Sequence, residues 1–291
     1  MTDPIHTIDI DTWNAPSGRA GQAAELLEAG AVLHFPRLAF ALEESQEALL
    51  TPDLADPGSK NVNYDPATGS LRGTTATGPQ REGLERMVAR FYQCSRQLVT
   101  SLLPEYTGAL RPGLTSYRPF QVEGRQTSPT KDDTRVHVDA FASRPNGGLR
   151  ILRVFNNISP RNEPRVWEVG EPFPVLARQF HSRIPRQLPG SARVLHALGI
   201  TKTVRTPYDH VMLNLHDGMK RDSDYQARVP KARIEFQAGS TWMCFSDSVS
   251  HAALRGQHLL EQTFYLPVSA MRDQAQAPLR VLEALHHRKL A

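Results

Sequence analysis

From Leu114 to Leu266 the chain reads as a run of short strand-length segments divided by turn residues, and this pattern limits the available folds more than any other feature. Such segments fall at 115–120, 134–141, 150–156, 211–216, 232–236, 241–245, 249–252 and 261–266. The Arg-Pro-Asn-Gly-Gly turn at 144–148 makes the second and third antiparallel neighbours. With helical pattern confined mainly to the ends, the expectation is a mainly β protein with flanking helices. Its architecture would be a double-stranded β-helix, a cupin-like jelly roll whose two sheets enclose a pocket.

The flanks support this division. Residues 19–29 predict a short helix stopped by Gly30, followed by a strand at 31–36. The Pro- and Gly-rich stretch 51–79 predicts a long ordered loop. Leu84, Met87, Val88, Phe91, Leu98 and Leu102 recur at helical spacing before Pro104, so they predict a packed helix. Residues 160–199 predict a proline-rich insertion with two short helices, the second capped by Ser191. A last helix is expected over 278–289. With 291 residues and 40% apolar content, one domain over 1–291 is expected. It divides into an N-terminal helical and loop elaboration (1–113), a jelly-roll core (114–267) with an insertion (160–205), and a C-terminal helical segment (268–291). No leader or bilayer-length apolar run is visible, which predicts a soluble, cytoplasmic protein. Cys94 and Cys244 lack any Cys-x-x-Cys spacing and read as reduced core residues.

The chemistry-bearing feature is Val-His-Val-Asp at 136–139, followed much later by Val-Ser-His-Ala at 249–252. Strand alternation puts His137 and Asp139 on one face, and His251 from a late strand can join them. Two imidazoles and one carboxylate on one side of an octahedral ion leave three adjacent positions open. Fe(II) needs that room for a bidentate co-substrate and dioxygen. The plainer alternative is a buried histidine hydrogen-bonded to a carboxylate. His216 with Asp217 and His210 with Asp209 compete, but beside Gly218 they read as turn formers.

A co-substrate such as 2-oxoglutarate also needs a cation for its far carboxylate. The positions beyond His251 where one is expected hold Gln262 and Thr263, and Arg255 comes too early. Arg150 and Arg153 lie on opposite faces of one expected strand, so at least one points inward, and an inward arginine demands an anion. Arg153 is the preferred clamp, with Thr263 or Gln262 adding a hydrogen bond. Tyr117, Arg118, Asn156, Asn157 and Lys220 are polar residues near strand ends, better suited to capping loops than to binding. Trp167 and Trp242 read as core or rim aromatics.

Residues 144–205 hold 11 Lys and Arg against Glu163, Glu168 and Glu171, a charge of +8 that leaves −4 for the remainder. A cationic face of this kind suits phosphates, carboxylates or an anionic membrane surface, although scattered solvated arginines would look the same. Nucleic acid is not expected, since no binding motif is present and the cations are not gathered on one helix.

Three blocks carry a resemblance: His-Val-Asp-Ala-Phe-Ala-Ser-Arg-Pro at 137–145, Arg-Ile-Leu-Arg-Val-Phe-Asn-Asn-Ile-Ser-Pro at 150–160, and Pro-Arg-Val-Trp-Glu-Val-Gly-Glu-Pro-Phe at 164–173. With Phe-Ser-Asp-Ser-Val-Ser-His at 245–251, they resemble the Kdo hydroxylase family. The resemblance implies an Fe(II)- and 2-oxoglutarate-dependent dioxygenase using O2. Its reaction would hydroxylate C3 of 3-deoxy-D-manno-oct-2-ulosonic acid (Kdo) in Kdo-bearing lipid A precursors of lipopolysaccharide. By the same resemblance His137, Asp139 and His251 match the iron ligands, and peripheral contact with the cytoplasmic face of the inner membrane is expected. The alternatives are an oxygenase acting on another anionic small molecule or a protein, and a non-catalytic carbohydrate-binding roll. A metal-dependent sugar isomerase fits less well, because such rolls commonly use more than three protein ligands.

Overall fold

A computed structural model describes residues 4–15 and 20–291. The N-terminal part holds β1 (Ile5–Thr7), α1 (Ala20–Glu28), β2 (Val32–Phe35), α2 (Glu44–Glu47), β3 (Val62–Asp65), β4 (Ser70–Arg72) and α3 (Gly78–Leu102). Then come β5 (Arg111–Arg118), β6 (Arg150–Asn157), β7 (Arg165–Pro172), α4 (Phe173–Phe180), α5 (Ser191–Ala197), α6 (Pro207–Arg221) and α7 (Ser223–Arg228). The chain ends with β8 (Ala232–Phe236), β9 (Thr241–Phe245), β10 (Val249–Arg255), β11 (Leu259–Leu266) and α8 (Pro278–His286).

The strands form an eight-stranded sheet, ordered β1-β2-β9-β6-β11-β5-β3-β4, and a three-stranded sheet, ordered β10-β7-β8. Pairing is antiparallel except between β1 and β2. Alternation sorts β6 cleanly. Leu152 and Val154 join the core that includes Leu84, Met87 and Phe91 of α3, while Phe155 turns into the space between the sheets. There it meets Trp167 of the small sheet and Trp242, which stacks on Phe236 with ring centroids 4.0 Å apart. Two facing sheets closed by this aromatic layer make a jelly roll with flanking helices.

Several expectations are corrected. Residues 211–216 lie inside α6, where Thr206 and Asp209 form a capping box, Pro207 occupies the first turn, and Tyr208, Val211, Met212, Leu215 and Met219 form its buried stripe. His210, His216 and their acidic neighbours therefore sit on a helix and not in a turn. Residues 134–141 make only one bridge, His137 to His251, because the segment rides the outer edge of β10. The neighbouring strand that Val136 lacks is replaced by the Gln226 side chain, which accepts from Val136 N at 2.8 Å and donates to its carbonyl at 2.9 Å. The stretch 51–79 is a loop only in part: β3 and β4 pair within it and extend the large sheet. The insertion contains β7, the centre of the small sheet. Gly190, not Ser191, occupies the cap of α5, and the Ser191 hydroxyl donates instead to the Leu188 carbonyl. The first expected helix is found from Ala20, and Arg19 lies outside the described residues. No helix among the described residues is long and apolar enough to cross a membrane.

Candidate functional site

The backbones of His137 and His251 exchange both N–H···O bonds, so their side chains leave the pair on the same face, with ring centroids 4.8 Å apart. Each ring is then oriented from below. His137 Nδ1–H donates to the Arg135 carbonyl at 2.7 Å and His251 Nδ1–H to the Val249 carbonyl at 2.8 Å. A carbonyl can only accept, so each Nε2 carries the free lone pair. Asp139 is set by its own N–H, which donates to Ser246 O at 2.8 Å in the turn between β9 and β10. One ligand atom from each of His137, Asp139 and His251 falls within 4.8 Å of the others, and among the described residues no other such trio exists.

Electrostatics prepares these groups for a cation. Burial first, then His251 and Lys220, hold His137 well below its ordinary value, and burial lowers His251 too. Both rings are therefore neutral donors at neutral pH. Burial alone would raise the Asp139 carboxyl, yet the Arg153 guanidinium beside it more than offsets this and keeps the group ionised. Its Oδ2 is buried and makes no hydrogen bond, leaving an ion pair with Arg153 at 3.3 Å.

The trio opens into a narrow cavity of about 60 Å³ whose apolar walls are Phe155, Trp167, Ala253 and Leu259. Trp167 stacks on His251 at 4.7 Å. Charged groups line the rest: Arg153 pairs with Glu261 at 3.2 Å as well as with Asp139, and Arg118 reaches Glu261 at 2.6 Å. Arg165 differs from both. It is buried in the same cavity and donates from one guanidinium nitrogen to the Gly256 carbonyl. Its Nε has no partner, and no carboxylate lies within ion-pair distance among the described residues. Burial, then Arg118, push its pKa down to about 9. An uncompensated cation in a closed pocket is a site for an anion.

The expected co-substrate residues thus separate. Arg153 and Thr263 face each other across β6 and β11 on the pocket side. Arg150 points the other way and is wholly buried, with Asp247 at 2.8 Å, Ser248 at 2.8 Å and the Phe245 ring at 4.0 Å. Gln262 also faces away, among the neighbours of α3, where Thr115 donates to it. Neither reaches the trio. Of the other polar residues, Asn156 and Asn157 bond to backbone carbonyls, while Arg118 enters the pocket. Glu261 and Arg165 escaped sequence reasoning. The usable signal was their alternation with Leu259 and with Trp167; the assignment of 160–199 to an insertion obscured it for Arg165, and a strand expected only from 261 left Leu259 out for Glu261.

A larger open cavity of about 640 Å³ lies beside this site, lined by Arg144, Leu149, Lys202, Val204 and Tyr265 among others. It shares Pro145 and Asn146 with a small recess that Asp139 itself lines.

Comparison with known proteins places the whole chain in a family. A family model described as 3-deoxy-D-manno-oct-2-ulosonic acid (Kdo) hydroxylase matches residues 11–289. No curated protein matches. Among solved structures, the Kdo hydroxylase KdoO, a non-heme Fe(II) alpha-ketoglutarate-dependent dioxygenase in complex with alpha-ketoglutarate and Fe(III), is 40% identical. That match covers 99% of this chain and 98% of the other at a TM-score of 0.96. The same enzyme with cobalt(II) is 41% identical, with 99% and 97% covered and a TM-score of 0.97. Its complex with succinate and Fe(III) gives 41%, 99%, 97% and 0.95.

Proposed function

Because the chain belongs to the Kdo hydroxylase family, we propose that it is an Fe(II)- and 2-oxoglutarate-dependent dioxygenase that hydroxylates C3 of Kdo in Kdo-bearing lipid A precursors. The observation that carries this reading is the trio of His137, Asp139 and His251, gathered at a buried pocket with two unprotonated Nε2 atoms and an ionised carboxylate. That donor set fits a ferrous ion, which when bound couples oxidative decarboxylation of 2-oxoglutarate to insertion of one oxygen atom into a C–H bond.

The protein's own residues do the positioning. His137 and His251 present fixed lone pairs, and Arg153 holds the Asp139 carboxylate toward them. Arg165 clamps the far carboxylate of 2-oxoglutarate, because it is the pocket arginine with no acidic partner among the described residues. Arg153 is already paired to two acids and takes the positioning role instead. Thr263, opposite Arg153 on β11, adds a neutral hydrogen-bonding group on the pocket side of that strand. Phe155, Trp167 and Leu259 keep water from the reacting end. The acceptor enters by the larger cavity, where Arg144 and Lys202 meet its sugar carboxylate or phosphates.

The test is incubation with ferrous ion, 2-oxoglutarate, oxygen and a Kdo-bearing lipid A precursor. The Kdo residue should gain one oxygen, with one succinate formed per product. Turnover of 2-oxoglutarate with no oxygenated Kdo lipid would assign the pocket to another anionic acceptor.

A further inference from the structure

Six large hydrophobic side chains are exposed among the described residues, and all lie between Val175 and Val204. Leu188, Val194, Leu198 and Ile200 are 73%, 56%, 68% and 53% exposed and gather around α5, a helix with no buried residue. Val194 and Leu198 are one helical turn apart, and the Ser191 N–H and hydroxyl fold Leu188 back onto the start of the helix. This is not the surface of a helix held by its own core.

The charge around it is one-sided. Residues 172–208 contain six Lys and Arg and no acid. Arg186, Arg193 and Lys202 are exposed and make no ion pair among the described residues. Apolar tips in a segment with exposed, unpaired cations suit one kind of partner well: a surface with anions at its face and hydrocarbon beneath. A second copy would set cation against cation. A nucleic acid would leave the aliphatic tips in water.

The segment is also fastened to the site. Lys202 N–H donates to Ser143 O at 2.9 Å and Arg205 to Ala142 O at 2.8 Å, just beyond Asp139. Lys202 and Val204 themselves line the larger cavity. We propose that residues 186–204 form a docking surface for an anionic lipid bilayer, with Leu188, Val194, Leu198 and Ile200 inserted and Arg186, Arg193 and Lys202 at the headgroups. It deepens the enzymatic reading, since a bilayer held there faces the acceptor cavity, but docking does not depend on that reading.

Co-sedimentation with phosphatidylglycerol-containing vesicles and with pure phosphatidylcholine vesicles, neither carrying Kdo lipid, tests it. The full chain should bind the anionic vesicles and leave the neutral ones. Leu198→Ser with Ile200→Ser, and separately Arg186→Gln with Arg193→Gln, should each lower partitioning by about tenfold. Both variants should keep the wild-type Tm, because every altered side chain is exposed. The remaining binding of the charge variant should lose most of its salt dependence. No binding of the folded wild type to anionic vesicles would overturn the proposal. So would a dimer that Leu198→Ser dissolves, which would give the face to a second copy, or equal binding to both vesicle types. Failure of the hydroxylation assay alone would leave the vesicle result standing.

Discussion

His137 and His251 are joined through their backbones, N to O at 3.0 Å and 2.8 Å, before their side chains meet anything. Two imidazoles separated by 114 positions are thereby placed by main-chain bonds that any residue pair could make. Their spacing survives loss of either ring.

His251→Ala should therefore remain folded, with far-ultraviolet circular dichroism unchanged, while losing its metal. The measurement is the weak visible charge-transfer band expected when ferrous ion and 2-oxoglutarate are added anaerobically. The band should be present in the wild type and absent in the variant, and its persistence would remove His251 from the ligand set.

The pocket arginines should separate by what they hold. Arg165→Gln should weaken 2-oxoglutarate binding by about a hundredfold, the order for removing one partner of a buried charge pair, while leaving cobalt(II) affinity nearly unchanged. Arg153→Gln should weaken cobalt(II) binding, because Asp139 loses the cation that keeps it ionised and aimed. Titration calorimetry of both variants with each ligand decides, and the reverse pattern would return the clamp to Arg153.

Arg150 is a stability residue. Arg150→Ala strips a wholly buried Asp247 of its cation and should cost about 3–5 kcal/mol in urea unfolding. Such a variant, assayed well below its own Tm, should keep the wild-type KM for 2-oxoglutarate.

Acid should destabilise the fold through His258. Burial, then Arg161, push this histidine down to about 4 from its ordinary 6.5, and its Nδ1 sits 2.8 Å from the Tyr117 hydroxyl. A depressed folded pKa means the unfolded chain binds the proton first. The contribution is whole above pH 6.5 and is lost as pH falls toward 4. His258→Asn tolerates the left-handed backbone there, φ 55°, and should show a shallower fall in urea midpoint between those limits. An equal fall in both proteins would place the acid sensitivity elsewhere.

What the amino-acid sequence determined by itself was whatever depends on near neighbours. Alternation put His137 and Asp139 on one face, helical spacing marked α3, and the 144–148 turn separated the two blocks that build the site. Local pattern misled where two periods overlap. Val211–His216 looks like a strand until Thr206, Pro207 and Asp209 start a helix ahead of it. Only the tertiary structure decided what each buried charge pairs with. Arg150 found Asp247, Arg153 found Asp139 and Glu261, and Arg165 found no acid among the described residues. Coulomb energy and desolvation depend on distances through space between groups brought together from remote strands, and no periodicity along one segment records them.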